Sequence, residues 1–550
     1  MGSYRKESPE GGKRKSMKLR QRELENKKLW EKAGFELPQF HRNQMIERTK
    51  ENPEWIHFGG GNLFRAFPAA VCQELLNKGI LQTGIIVAEG YDYEIIEKSY
   101  KAFDNLHVLV TLKADGSLDK KVIGSVAESL CVDTQNTEDW IRLVEVFKSP
   151  SLKMASFTIT EKGYSLVNQK QELLDDVAED IQKEPRYAKS YIGNLVALCY
   201  ERFQHNKLPL TLVSMDNCSH NGTILKEAIS TFAKLWVENK VVEPDFLTYV
   251  VEDIAYPWTM IDKITPRPAD SVVKILESIG FEDTEAVVTA KNTYVASFVN
   301  AEEPQYLVIE DHFKNGRLPL DQGGIIYTDQ ETVDKVEKMK VCTCLNPLHT
   351  ALAIYGCLLS YDKISDEMKD KELVALVEKV GYVEGLPVVS DPGIINPKDF
   401  IDEVLQVRLP NPFMPDTPQR IACDTSQKLG IRFGETIKAY AASSELDVKD
   451  LTFIPLVLAG WCRYLMGIDD QGNSFELSPD PLLPSVVPMM KNIQLGQTEG
   501  IHEVLQEILS DSSIFGVDLY EIGLGNKVED LFVELIQGKG AIRKTLKKYL

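Results

Sequence analysis

Trp55-Ile-His-Phe-Gly59-Gly60-Gly61-Asn62-Leu63-Phe64-Arg65-Ala66 passes from apolar residues into three glycines, then into Ala69-Ala-Val-Cys-Gln-Glu-Leu-Leu76, whose apolar positions recur at helical spacing up to Gly79. A second apolar run, Gly84-Ile-Ile-Val-Ala-Glu89, follows. Strand, glycine turn, helix and strand form the unit that seats a dinucleotide pyrophosphate on a helix N-terminus. Gly59 suits the tight turn and Gly61 the close approach of phosphate. Phe64 stands where the fingerprint has a third glycine. Glu89 ends the second strand, where an acid holds a ribose diol and disfavours a 2′-phosphate, so NAD is expected over NADP. An S-adenosylmethionine methyltransferase, or a purely structural βαβ turn, reads similarly on this stretch.

The 550 residues exceed one hydrophobic core, so two or three domains are expected. With 43% hydrophobic and 26% charged residues, the composition is that of an ordinary globular protein. No apolar run approaches the roughly 20 residues that span a bilayer, and no membrane partner is expected. The net charge of −20 argues against nucleic acid. Nine scattered cysteines suggest neither a disulfide framework nor a zinc site, and fit a reducing cytoplasm. Residues 1–28 are basic and unpatterned, so a disordered leader is expected, with Met17 a candidate natural start. A charged surface helix is expected over 18–33.

Along the chain, residues 105–131 read as a small β excursion, and a helix is expected near 138–149. Lys153–Thr160 reads as a strand ending in Thr160-Glu161-Lys162-Gly163-Tyr164. The strand Leu208–Ser214 reaches Asp216-Asn217 and Asn221-Gly222. Polar turns after buried strands are where α/β sheets place ligand contacts. Glu310, Asp311 and His312 end another strand, but neighbours on a strand alternate faces, so no metal is expected there. From about 332 the pattern becomes helical. The divisions expected are 1–50 as leader and surface helix, 51–331 as dinucleotide-binding domain and 332–550 as substrate domain.

That second domain opens on Lys340-Val-Cys-Thr-Cys-Leu-Asn346-Pro-Leu-His349. Pro347 suits the first helical position with Asn346 as N-cap, and Asn346 and His349 share a face. An amine, a carboxamide and an imidazole can together take a proton from an alcohol and hold its oxygen; a capped helix with a satisfied histidine is the plain alternative. Arg408, Arg420 and Lys428 are cations suited to an acidic substrate, and surface ion pairing is their default role.

Gly59-Gly-Gly-Asn-Leu-Phe-Arg-Ala, Thr160-Glu-Lys-Gly-Tyr, Asp216-Asn217, Asn221-Gly222, Ile261-Asp-Lys-Ile-Thr-Pro, Val308-Ile-Glu-Asp-His-Phe, Leu345-Asn-Pro-Leu-His, Asp416-Thr and Arg420-Ile-Ala-Cys-Asp-Thr-Ser-Gln-Lys428 occur in that order over residues 55–480. Together they resemble the polyol-specific long-chain dehydrogenase (mannitol dehydrogenase) family. The resemblance implies an α/β fold: a Rossmann-type N-terminal dinucleotide-binding domain followed by a mostly α-helical substrate domain. It implies NAD(P) without zinc, with Lys340 as general base and Asn346 and His349 on the reacting oxygen. Asn217, Asp262, Arg420 and Lys428 are implied on the substrate side. Gly59, Gly61, Asn62, Leu63, Phe64, Arg65, Glu89, Thr160, Glu161 and Asn217 are implied at the cofactor. The reaction expected is reduction of D-fructuronate to D-mannonate; tagaturonate reduction and oxidation of mannitol or another polyol are the alternatives within the family. A non-catalytic NAD-binding sensor is the alternative outside it. The family pattern has Asn-Gly where this chain has Asn346-Pro347, and its lysine stands five residues before the asparagine rather than six. Either the additional residue is absorbed at the helix start, or Lys338 or another lysine serves.

Overall fold

The computed structural model describes residues 16–497 and 499–550. They form two units: residues 16–111 with 118–328, and residues 112–117 with 329–550.

The first unit is built on six parallel strands: β1 (Trp55–Phe58), β2 (Ile85–Glu89), β3 (Val126–Cys131), β4 (Met154–Phe157), β5 (Leu210–Ser214) and β6 (Ile254–Ala255). Their order is β3-β2-β1-β4-β5-β6, the Rossmann order. Every residue of β1, β2, β4 and β5 is buried, as expected where helices cover both faces. Alternation sorts the side chains. Ile56, Phe58, Ile86, Ala155 and Leu212 meet helices α3 (Thr137–Lys148), α4 (Tyr191–His205), α5 (Asn221–Glu238) and α6 (Pro244–Glu252) in one core. Trp55, Ile85, Val87, Met154 and Val213 join α1 (Asn62–Ala66) and α2 (Pro68–Asn77) in the other. The sheet reverses direction of growth between β1 and β4, the switch point where such sheets bind ligands at their strand C-termini.

Two expectations for this unit need correction. Val126–Cys131 is not part of a separate β excursion; it pairs with Ile85–Glu89 in the main sheet, while His107–Leu112 and Leu118–Ile123 enter a four-stranded sheet. Residues from Ser16 onward are not a disordered leader. Met17 and Leu19 are buried, the Met17 N–H donates to the Gly280 carbonyl at 2.8 Å, and Trp30 packs edge-on to Phe35 and Phe281. Apolar anchors inside a charged segment defeated the compositional reading. Residues 1–15 lie outside the described residues.

The second unit is largely helical, and its first element is a continuous helical run in three parts: α7 (Gln330–Lys338), a π-helical turn (Met339–Cys344) and α8 (Asn346–Leu358). This 29-residue run is long and apolar enough to cross a membrane, contrary to the expectation from sequence, yet most of it is buried inside the protein. Tyr355 of α8 donates its hydroxyl to the Leu456 carbonyl of α9 (Phe453–Tyr464) at 2.7 Å. Gly460 makes the approach possible, because a Cβ there would lie 2.8 Å from the Tyr355 ring. The helix α10 (Gly525–Leu535) packs against α9 in turn. Residues 417–429 do not form one helix: they hold Pro418–Ile421 and a 3-10 turn, Thr425–Gln427, with Asp424 at φ +53° between them.

Candidate active site

In the first unit the glycine turn is set by backbone geometry. Gly59 has φ +103°, and a Cβ there would stand 2.3 Å from the Thr158 carbonyl oxygen. Only glycine fits. A Cβ at Gly61 would meet nothing within 4 Å, so the turn is open where α1 begins. The Gly60 N–H donates to Glu89 Oε2 at 2.8 Å, and the Tyr100 hydroxyl donates to the Gly60 carbonyl at 2.9 Å. Glu89 Oε1 accepts from the N–H groups of Tyr91 and Asp92 at 2.8 and 3.2 Å. Burial pushes its carboxyl above the usual range, against the pull of those three donors. Three of about four acceptor positions are filled, leaving one on Oε2. The strand-end acid therefore also fastens the glycine turn.

The side chains of Phe64 and Arg65, two residues that the resemblance implied at the cofactor, are turned into the core. Phe64 is fully buried and stacks on His57 at 4.2 Å, and the Arg65 guanidinium is buried with a donor on the Ala296 carbonyl at 2.8 Å. Asn62 and Leu63 are half-buried at the start of α1, where the first N–H groups of a helix lack intrahelical partners. His57 was not anticipated. Its ring bridges Ser156 Oγ (2.7 Å) and Thr158 Oγ1 (2.9 Å) beneath the glycine turn, and burial lowers its pKa to about 3.

Asp216 organises the next turn. Its oxygens accept from the N–H groups of Ile159 and Thr160, both at 2.9 Å, and from the Tyr164 hydroxyl at 2.6 Å. Thr160 sits at φ +65°, which is strained for a β-branched residue, and this clamp holds it there. Thr160 and Glu161 are exposed beyond the end of β4, and Asn217 is exposed beyond β5. The Asn221 side chain donates to the Asp216 carbonyl (3.0 Å) and accepts from the Thr259 N–H (3.0 Å). It thereby fixes the strand Thr259–Asp262, which ends in buried Asp262, beside the Asn217 loop. Gly222 is required because a Cβ would approach the Tyr256 carbonyl to 2.5 Å. The turns that follow β1, β2, β4 and β5 thus gather at one end of the sheet, a shape and polarity that fit a dinucleotide. Glu310 accepts from the Trp258 N–H, and Asp311 pairs with Arg317.

The second unit brings Lys340, Asn346 and His349 onto one helical run. The additional residue between Lys340 and Asn346 lies in the π turn, whose wider ring holds one residue more than an α turn. The Leu345 N–H donates to the Lys340 carbonyl, five residues back, at 3.1 Å. The N-cap is Leu345 (φ −126°, ψ −62°), not Asn346, and no side chain caps it. Pro347 interrupts the ladder because it has no N–H to give. Freed from capping, the half-buried Asn346 carboxamide has no partner among the described residues. Lys340 is 5% exposed, whereas Lys338 is exposed and paired with Asp334 at 2.7 Å, which favours its charged form.

His349 is mostly enclosed, its side chain 17% exposed, and its Nε2 has no hydrogen-bond partner among the described residues. Asp416 Oδ2 stands 3.6 Å away, too far for a hydrogen bond. Burial lowers the imidazole's pKa to about 4; Asp416 opposes this, and the charges of Arg432, Arg420 and Arg408 reinforce it. The ring is neutral at physiological pH. Arg420 is exposed and ion-paired with Asp416. Lys428 donates to the Cys423 carbonyl at 2.5 Å, its pKa lowered by burial and by Arg432. Arg408 is buried. Arg432, which the sequence reading passed over, donates to Thr350 Oγ1, whose hydroxyl in turn donates to the Asn346 carbonyl at 2.8 Å.

The mannitol dehydrogenase Rossmann domain family matches residues 53–322, and the mannitol dehydrogenase C-terminal domain family matches residues 332–532. The chain is 52% identical to the D-mannonate oxidoreductase of Thermotoga maritima over 97% of this chain and 99% of that protein. It is 27% identical to the polyol:NADP oxidoreductase of Gluconobacter oxydans, over 78% and 83% of the two chains. Among solved structures, the mannitol 2-dehydrogenase of Pseudomonas fluorescens, a ternary complex with NAD and D-mannitol, superposes with TM-score 0.68 at 24% identity, covering 97% of this chain and 99% of that one. A D-sorbitol dehydrogenase in substrate-free form superposes with TM-score 0.76 at 23% identity, covering 93% and 97%. These two likenesses concern the fold. A Rossmann-ordered sheet followed by a helical unit, each matched in turn by one of the two domain families, makes this chain an oxidoreductase of the mannitol dehydrogenase family.

Proposed function

We propose that the protein is an NAD-dependent D-mannonate oxidoreductase of the cytoplasm, reducing the ketone of D-fructuronate to D-mannonate and catalysing the reverse oxidation. The observation that carries the reading is the neutral His349, its Nε2 unpartnered, set among arginines beside Asn346 on the helix of Lys340. A neutral imidazole can donate a hydrogen bond to a developing alkoxide, and surrounding cations suit a substrate that carries a carboxylate. The 52% identity to a D-mannonate oxidoreductase supports the choice among sugar acids. Nine free cysteines, six of them buried, fit a reducing compartment.

NAD, when bound, supplies or accepts the hydride. Gly59–Gly61 and the start of α1 would hold its pyrophosphate, and Glu89 its adenosine ribose through the remaining acceptor position. Lys340 gives a proton to the substrate oxygen in reduction and takes it from the hydroxyl in oxidation. Asn346 and His349 donate hydrogen bonds to that oxygen as charge develops on it. Asn217, Asp262, Arg420 and Lys428 would orient the rest of the substrate, and Lys338, engaged with Asp334, is the weaker candidate for the base.

The test is a side-by-side assay of D-fructuronate, D-tagaturonate, D-fructose and D-mannitol, each with NAD(H) and NADP(H). The highest kcat/KM is expected for D-fructuronate with NADH. A preference for the neutral substrates would overturn the sugar-acid assignment, and a preference for NADPH would overturn the role given to Glu89.

A further inference from the structure

Three buried arginines of this protein, Arg42, Arg202 and Arg463, are satisfied internally. Arg202 donates to four backbone carbonyls at 2.6–3.1 Å, those of Phe147, Ser149, Leu208 and Pro209. Arg463 reaches the carbonyls of Ile468, Asp469 and Leu535. Arg42 reaches three carbonyls and the Gln21 side chain, whereas Arg65 has the Ala296 carbonyl and the face of Tyr100 and leaves its Nε without a partner among the described residues. Arg432 differs. Its guanidinium makes one side-chain hydrogen bond, to the neutral hydroxyl of Thr350, and has no carboxylate or carbonyl partner among the described residues. Burial without a compensating anion disfavours its charge. A mostly buried cation with one neutral contact is costly unless something outside the chain completes it.

Its position says what that partner is. Arg432 lies on the π-helical turn Gly430–Gly434, which packs against the π turn of Lys340 and against α8. Its backbone N–H bonds the Lys428 carbonyl at 3.0 Å, so the two cations stand one turn apart. Through Thr350 it also braces the carbonyl of Asn346.

We propose that Arg432 receives the carboxylate of the substrate, its planar fork donating to the anion that no described residue supplies, and so sets the preference for a sugar acid over a neutral polyol. This rests on the sugar-acid reading given above. The side chain serves as a specificity residue and leaves the proton and hydride to other groups.

The experiment compares the full-length wild type with Arg432→Gln and Arg432→Lys, using D-fructuronate and D-fructose with NADH, and D-mannonate as product inhibitor. Arg432→Gln is expected to raise KM for D-fructuronate and Ki for D-mannonate about 50-fold, the loss of a charge-assisted pair, with kcat within fivefold. Its kcat/KM on D-fructose should fall by far less than its kcat/KM on D-fructuronate. Arg432→Lys keeps the charge without the fork and should raise KM about tenfold. Equal losses on both substrates would make Arg432 structural and overturn the proposal. So would a KM within threefold in both variants of an enzyme that reduces D-fructuronate well, leaving the sugar-acid reading intact. A wild type that leaves D-fructuronate unreduced overturns that reading and this inference together.

Discussion

At the strand ends of the first unit, three buried polar groups are already bonded within the unit: Glu89 takes three N–H groups, Asp216 takes two and a tyrosine hydroxyl, and His57 is bonded at both nitrogens. Around Asn346 the second unit leaves polar groups open among the described residues: an unpartnered carboxamide, an imidazole with a bare Nε2, and an arginine with one neutral contact. A cofactor cradle works by being the same shape before and after each turnover, and satisfied hydrogen bonds make it rigid. Groups that must meet a changing oxygen and an incoming anion are useful only if the protein has not already satisfied them. The first unit holds shape; the second holds unmet chemistry.

The largest break in this contrast is at Lys340. Lys340→Ala should lower kcat about 1000-fold while NADH affinity, followed by fluorescence titration, stays within twofold; Lys338→Ala should stay within threefold in both. If the two variants behave alike, the lysine assignment is wrong. Next comes His349→Ala, for which a loss of about 100-fold in kcat is expected, as for removal of one donor to a developing oxyanion. A rise in KM at constant kcat would instead make His349 a binding residue only. Glu89→Ala tests the satisfied side: it removes three hydrogen bonds from the glycine turn and should weaken NADH binding about 10- to 30-fold, with NADPH weakened less. An equal loss for both cofactors would leave Glu89 a loop fastener without a hand in the ribose.

The smallest effect is on stability against pH. The native imidazole of His349 holds its pKa near 4, below the unfolded value of about 6.5. As pH falls from 6.5 toward 4, the unfolded chain takes up a proton that the native site refuses, so native stability falls; above 6.5 the group contributes nothing. His349→Gln should shrink the difference in unfolding free energy between pH 7 and 4.5 by about 2 kcal/mol in urea titrations. His57, near 3, extends the same trend to lower pH in the first unit. An unchanged pH difference in His349→Gln would mean that the imidazole is not held neutral by its surroundings.

Local pattern was enough for much of this. The run from Trp55 to Glu89 declared a dinucleotide fold because a glycine turn with positive φ, an amphipathic helix and a strand-end acid are chain-local requirements. The order of motifs from Gly59 to Lys428 declared the family, and the ten residues from Lys340 to His349 declared an amine, an amide and an imidazole at the entrance of a helix. Tertiary structure decided the rest. That Val126–Cys131 belongs to the main sheet rests on pairing with residues some forty positions earlier, which periodicity does not encode. That Asn346 is spared from capping follows from a π turn and a proline that upset the helix locally. Arg432 acquires meaning only when the fold sets it, half-buried, against Thr350, 82 residues away, with a neutral hydroxyl as its side-chain partner. Sequence names the groups that can do chemistry; which of them are left with something to do depends on what the fold has already bonded.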